Sequence, residues 1–408
     1  MRNLIVGTVV GLVVGIVVGT TLVAPRLKLP VQIQTNFDVK PSVKPHFQNH
    51  GMTHQSRGAP RPTEQHVHVT KTKDSDKLTP APKPRNTVQW RMASIYDSSL
   101  PHMGRLAKRL EDEIWKTSAG GLSIKFFEPE TLVSTTAAFD AVRSGAIEAV
   151  FAAPSLWAEH TPALYLYSAI PFGPPIHEYL AWLHADGGAI MRDVYRKIGV
   201  HGIACGLLAP EGSGWFREPI TSLEKLKSLR FGMTGLGGKV LQRLGTTVVP
   251  ISEGDVFVAL EQGIIDGAEA AQPTIDLELG LHRLARHYYF PGWHQPATLL
   301  NLVINLDTWN KLTPSLQNQV RSVCGDNIQL GFAESAGSQF NALKALTAEG
   351  VSVEIWSPEI MSALRQSWSE VVREQLKTSR DFARGWNSLK RFREEYGIWH
   401  EIGQPAPR

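Results

Sequence analysis

Between Trp215 and Pro273 the chain alternates short β-rich segments with glycine turns and helical stretches, and this alternation restricts the fold more than any other feature. Ser222-Leu223-Glu224-Lys225 has the form of a helix start, with a hydroxyl able to accept an orphan backbone N–H. Ser228 to Met233 then reads as a strand. Gly235-Leu236-Gly237-Gly238 lets the backbone turn tightly into a helix spanning Lys239 to Gly245, whose first amides point toward the strand end. Thr246 to Val249 is β-branched throughout and reads as the next strand; Gly254 to Gln262 is helical by its apolar spacing, and Ile264 to Ala268 is a short buried strand. Glu269 therefore falls at a strand end, where α/β sheets place their crevices.

The same order recurs upstream. Val88 to Ala93 reads as a strand, Pro101 to Ser118 as an amphipathic helix, Leu122 to Phe127 as a second strand, Thr136 to Ser144 as a helix and Glu148 to Ala152 as a third strand. Such a βαβ order implies a largely parallel sheet. The apolar run Leu299 to Leu306 would return to complete it, and beyond Ser357 the chain turns helical. With 408 residues, 42% of them hydrophobic, two moderate cores are within reach, so two lobes are expected. The boundaries fall at 87–212 for lobe 1, 213–298 for lobe 2, and 299–408 for the return to lobe 1 and the C-terminal helices.

Two other segments differ in character. Leu4 to Ala24 carries no charge and, at about 1.5 Å per residue, reaches about 30 Å, enough to span a bilayer core. Leu22 and Pro25 make a poor cleavage site around Ala24, so residues 1–24 read as an uncleaved membrane anchor rather than a removed signal. Gly7, Gly11, Gly15 and Gly19 recur every four residues, which suits either helix pairing in the membrane or a generic apolar segment. Residues 25–86 are polar, proline-rich and without period, which predicts a disordered tether. The scattered histidines there, His46, His50, His54, His66 and His68, read as solvated linker residues rather than a metal site. Cys205 and Cys324 lack metal-ligand spacing and read as buried small apolar residues rather than a disulfide. A formal charge of +4, with no basic block interleaved with aromatics, argues against nucleic-acid binding.

The stretch WFREPITSLEKLKSLRFGMTGLGGKVLQRLGTTVVPISEGDVFVALEQGIIDGAEAAQP at Trp215 to Pro273 resembles the substrate-binding receptors of tripartite ATP-independent periplasmic (TRAP) transporters, in the branch that binds 2-oxo acids and other small carboxylates. The likeness extends to Trp90–Val133, FDAVRSGAIEAVFAAPSLW at Phe139–Trp157, SAIPFG at Ser168–Gly173 and YYFPGWHQP at Tyr288–Pro296. It implies a two-lobed periplasmic-binding-protein-like α/β fold with mixed sheets, a hinge and C-terminal helices. It places the globular part outside the cytoplasm, with a small organic acid as ligand, the TRAP permease membrane subunits as partners and a homodimer built on C-terminal helices. The tryptophans Trp368, Trp386 and Trp399 would alternatively pack on their own lobes.

Residue by residue, the resemblance also marks a departure. In the family an arginine just before the glycine turn grips the solute carboxylate with a two-pronged salt bridge; the matching position here is Gly232. Arg230, two residues earlier, either reaches the pocket from the same strand face or fills a surface position. The family's cation ligands map to Glu211, Glu269 and the backbone oxygen of Ala270. Losing an arginine and gaining a glutamate moves the pocket by two charge units toward negative, which demands compensation. Calcium or sodium on Glu211 and Glu269, an inward Arg230, or a neutral or cationic solute would each supply it. Trp157, Phe172, Trp215 and Trp293 occupy positions that line or flank the family's cleft, and each suits a core equally well. Ser155-Leu156 replaces a pair of polar aromatics.

These features favour a binding receptor over an enzyme, since no nucleophile arrangement, phosphate loop or zinc spacing is present. The rival is a membrane-tethered paralogue that kept the fold and lost the arginine for an altered ligand or a sensory role. Restoring arginine at position 232 would separate the two.

Overall fold

A computed structural model describes residues 87–251 and 253–403. The anchor expected at 1–24 and the tether at 25–86 lie outside the described residues, among which no helix is long and apolar enough to cross a membrane.

Two mixed sheets carry the fold. The first contains β1 (Val88–Ser94), β2 (Leu122–Phe127), β3 (Ala149–Ala152), β4 (Val200–Leu208) and β10 (Thr298–Asn305), in the order β2-β1-β3-β10-β4. β1 pairs in parallel with β2 and β3, as the βαβ pattern implies, and β10 runs antiparallel between β3 and β4. All eight β10 residues are buried, which explains why this strand reads as a continuous apolar run rather than an alternating one. The helix Met103–Thr117 buries Met103, Leu106, Ala107, Leu110 and Ile114, one face at helical spacing, in a core shared with β1 and β2.

The second sheet contains β5 (Gly214–Phe216), β6 (Arg230–Gly232), β7 (Thr247–Val249), β8 (Gly267–Ala268), β9 (His287–Phe290) and β11 (Ser352–Ile355), ordered β11-β9-β5-β8-β6-β7. β6 lies parallel to β7 and β8, while β5 is antiparallel to β8 and β9. β11 pairs in parallel with β9. Assigning 299–408 to the first lobe and C-terminal helices misses this excursion: after β10 and the long helix Pro314–Ala348, the chain returns once to the second sheet before the helices Pro358–Thr378 and Arg380–Gly403.

Two local expectations are corrected. The helix after β6 begins at Gly235, not Lys239, because Gly235 takes a positive φ of 65° that turns the chain straight into Gly235–Leu244. Cys205 and Cys324 are fully buried, as small apolar residues would be, yet they form a disulfide joining β4 to the helix Pro314–Ala348. Their spacing of 119 residues conceals an approach of 4.2 Å between Cα atoms, produced when that helix packs along β4.

Candidate cation and solute site

Of the connections between the two sheets, the two short ones, β4 to β5 and β9 to β10, each carry one residue of a buried polar cluster. Glu211 lies between β4 and β5, His294 lies between β9 and β10, and Glu269 follows β8. One ligand atom from each of the three lies within 4.8 Å of the other two. The crossovers hold each other: Glu211 N–H donates to the Gln295 carbonyl at 3.3 Å, and Ser213 Oγ donates to the Pro291 carbonyl at 2.7 Å. Glu269 is fixed by its own N–H, which donates to the Gly232 carbonyl at 3.0 Å. Gly237 keeps the next helix close, since a Cβ there would stand only 3.0 Å from His294 Cβ and 2.9 Å from Met233 Sδ.

The cluster is largely buried and acidic, with Glu269 the one member in partial reach of solvent. The Glu211 side chain is 1% exposed and accepts the Thr298 hydroxyl at 2.7 Å through Oε1. Burial, reinforced by the nearby Asp276 charge and opposed by a hydrogen bond with Glu211, pushes Glu269 up to about 8. Burial pushes His294 down to about 4, against the pull of Glu211, so its imidazole is neutral near pH 7. His294 Nε2 stands 3.6 Å from Glu269 Oε1 and 3.9 Å from Glu211 Oε2, beyond hydrogen-bond reach, and neither ring nitrogen finds a partner. Among the described residues, the charges acting on Glu269, His294 and Tyr288 come from carboxylates, and no lysine or arginine contributes. Two carboxylates, a neutral imidazole and orphaned nitrogen atoms together fit a bound cation.

Arg230 does not join them. Its guanidinium forms a two-pronged pair with Asp266, at 2.7 and 3.1 Å, and its side chain is 48% exposed. The backbone N–H of Arg230 also donates to Asp266, at 2.8 Å, so the strand start itself holds the pair at the surface. Gly232 is buried, and a Cβ there would meet Ile265 Cδ1 at 3.1 Å and Ala268 Cβ at 3.2 Å. The position that the resemblance gives to arginine is thus packed with apolar atoms.

The remaining candidates separate. Trp215 is fully buried, stacks on Tyr288 with centroids 4.0 Å apart, and donates Nε1–H to Asp276 at 2.7 Å. Ala270 is buried in the same apolar cluster. Trp157 packs against Phe139 in a core cluster that also takes in Phe216, Phe231 and Tyr289 of the second sheet. Phe172 and Trp293 stack at 5.6 Å, and the Phe172 N–H donates to the Trp293 carbonyl at 2.7 Å, bracing the turn that presents His294. His294, Thr298 and Asp276 escape sequence reading. His294 lies inside the quoted motif YYFPGWHQP, and a neutral residue between aromatic and proline carries no spacing signal for metal.

A family model described as bacterial extracellular solute-binding protein, family 7 (DctP), matches residues 93–379. The chain belongs to this family. Its members are extracytoplasmic receptors serving transport, not enzymes. A monocarboxylate 2-oxoacid-binding periplasmic protein of a Nostoc species is 29% identical over 319 residues, covering 78% of this chain and 87% of the relative. A TRAP transporter solute-binding protein from Bordetella bronchiseptica, solved with calcium and picolinate, superposes with a TM-score of 0.75 at 29% identity over 78% of this chain and 95% of its own. One from Pseudoalteromonas atlantica, with sodium and pyruvate bound, gives 0.74 at 27% identity over 78% and 97%.

Proposed function

We propose that this chain captures a small 2-oxo or related monocarboxylate through a cation held by Glu211, Glu269 and the backbone of Ala270, and presents it to the membrane subunits of a TRAP permease. The observation that carries this reading is the juxtaposition of Glu211, on the β4–β5 crossover, with Glu269 at the end of β8, where no side-chain cation acts on Glu269. Glu211 repels an approaching anion, and Glu269, raised to about 8, would have to give up its proton for a cation to bind, so a cation is what supplies the positive charge the site lacks. A bound cation would supply that charge and would accept carboxylate oxygen, which hard ions such as calcium and sodium prefer. The relatives solved with such ions beside pyruvate or picolinate support the same reading.

Placement at the crossovers couples binding to motion. Lobes spanning about 87–212 and 213–298 would close about these segments when the solute touches both, and closure would be favoured only by that differential contact. Residues 1–24 would tether the receptor to the inner membrane, and C-terminal helices would pair two copies; Ile398, Trp399 and Ile402 leave an exposed apolar face on the last helix. The Cys205–Cys324 disulfide suits an oxidising, extracytoplasmic compartment.

Calorimetric titration with pyruvate, run with calcium and again after chelation, tests the reading. Pyruvate should bind with calcium and lose at least about tenfold in affinity without it. No stabilisation or heat from any 2-oxo or 2-hydroxy acid under either condition would overturn it.

A further inference from the structure

We propose that His294 is a direct ligand of the cation through Nε2, and that this imidazole shifts the site toward a borderline first-row divalent ion such as zinc or cobalt. The inference rests on the cation-bridged reading above and deepens it. An oxygen-only set would suit calcium or sodium, whereas an imidazole nitrogen among carboxylates suits borderline ions that accept both donor types.

Four observations converge on His294. It is 3% exposed, so water does not compete for its ring. Both ring nitrogens lack a hydrogen-bond partner, although a buried polar atom ordinarily has one. Nε2 stands 3.6 and 3.9 Å from an oxygen of each glutamate, too far for a direct hydrogen bond. Ligands sharing one ion at about 2.0–2.2 Å stand roughly 3–3.5 Å apart, so His294 Nε2, at 3.6 and 3.9 Å from the two carboxylates, is already within about 1 Å of a shared-ion spacing to both.

The backbone keeps the imidazole in place. Gly292 runs against the Glu211 carbonyl so closely that a Cβ there would come within 2.1 Å of the oxygen. Trp293 is held by the Phe172 stack and hydrogen bond, and Gly237 closes against His294 Cβ. A ring so confined cannot turn toward solvent to satisfy its nitrogens. An imidazolium ion paired with the glutamates is the competing arrangement, but it would draw at least one oxygen to hydrogen-bond distance, and neither oxygen is there.

The test compares metals alone. Manganese, zinc and calcium are titrated into the full chain and into His294→Gln, which removes the imidazole and supplies an amide of similar reach. His294→Gln should weaken zinc binding by about 10- to 100-fold while changing manganese less and calcium by less than about threefold, so that the zinc-to-calcium selectivity ratio falls. The other histidines are common to both proteins, so only the difference between the two ratios reports on His294. Cobalt substitution gives an independent readout: a strongly shifted exchangeable imidazole N–H resonance in the unaltered protein that disappears in the variant. An unchanged ratio overturns the proposal, as does the absence of that resonance, which decides the matter even where His294→Gln does not fold. Pyruvate binding with calcium in both proteins would leave the receptor reading intact while an unchanged ratio removes this one; no ion and no acid bound to either would remove both.

Discussion

Asp276 and the Glu211–Glu269 pair are buried carboxylates of the same region, and they are treated in opposite ways. Asp276 Oδ2 accepts the Trp215 indole N–H and the Tyr288 hydroxyl, both at 2.7 Å, and Oδ1 accepts the Ala271 N–H at 3.0 Å. Burial still raises its pKa to about 6, but three donors oppose the rise. Glu269 is pushed higher, its neighbours include a second carboxylate, and the imidazole beside it stays out of hydrogen-bond range. A carboxylate surrounded by donors is finished as structure, whereas one whose neighbours are a second carboxylate and a bare imidazole is the arrangement that the cation proposed above would complete.

The largest effect should come from outside both sites and so calibrates the comparison. Replacing Cys324 by alanine frees a loop closed over 119 residues and should cost up to about 4–5 kcal/mol in chemical denaturation. Cation-dependent pyruvate affinity should stay within about threefold in calorimetry at a temperature where the variant is folded, because the disulfide lies in the first lobe's core. A comparable loss of affinity would show that the crossovers depend on that core.

Asp276→Ala comes next. It strands an indole N–H, a phenol and a backbone N–H in a dry interior, and should lower stability by about 3 kcal/mol. Urea denaturation measures this, and a cost near zero would break the claim that Asp276 is the finished site.

Glu269→Gln should act in the opposite sense. The fold raises the pKa of Glu269, so this carboxyl imposes no cost below the ordinary glutamate range and an increasing one as pH climbs toward about 8. The ion-free variant should therefore be more stable than the unaltered chain by about 1–2 kcal/mol at pH 8, with the difference vanishing near pH 4. Pyruvate with calcium should bind it at least about tenfold more weakly. A variant less stable at pH 8 would mean that Glu269 already has its partners.

How much of this was readable beforehand follows from range. The βαβ order, the glycine turn and the return of Thr298–Asn305 to the first sheet are local or periodic patterns, and residues 122–127 and 299–305 carry them openly. Glu211 and Glu269 emerge only because the resemblance supplies the pairing of residues 58 positions apart. The Cys205–Cys324 bond depends on a helix laid across β4, and β11 is an edge strand of four residues, three of them exposed, so neither has a strong local pattern. Of the two positions open to Arg230, pocket or surface, strand alternation could not choose because it gives a face but not a partner: Asp266, one residue before β8, captures it at the surface.

That capture supplies the smallest and sharpest prediction. If Arg230 serves only the surface pair, Arg230→Ala should melt with the unaltered chain in a thermal scan, since exposed ion pairs contribute little. Its pyruvate affinity with calcium should also match. The glutamate pair would then face its solute with no help from the one arginine on the neighbouring strand, which leaves positive charge to the cation. A tenfold weaker binding in Arg230→Ala, reversed by Asp266→Asn in the unaltered background tightening it, would instead show that the guanidinium leaves Asp266 and swings to the solute, and that the acidic cluster is not as self-contained as its contrast with Asp276 implies.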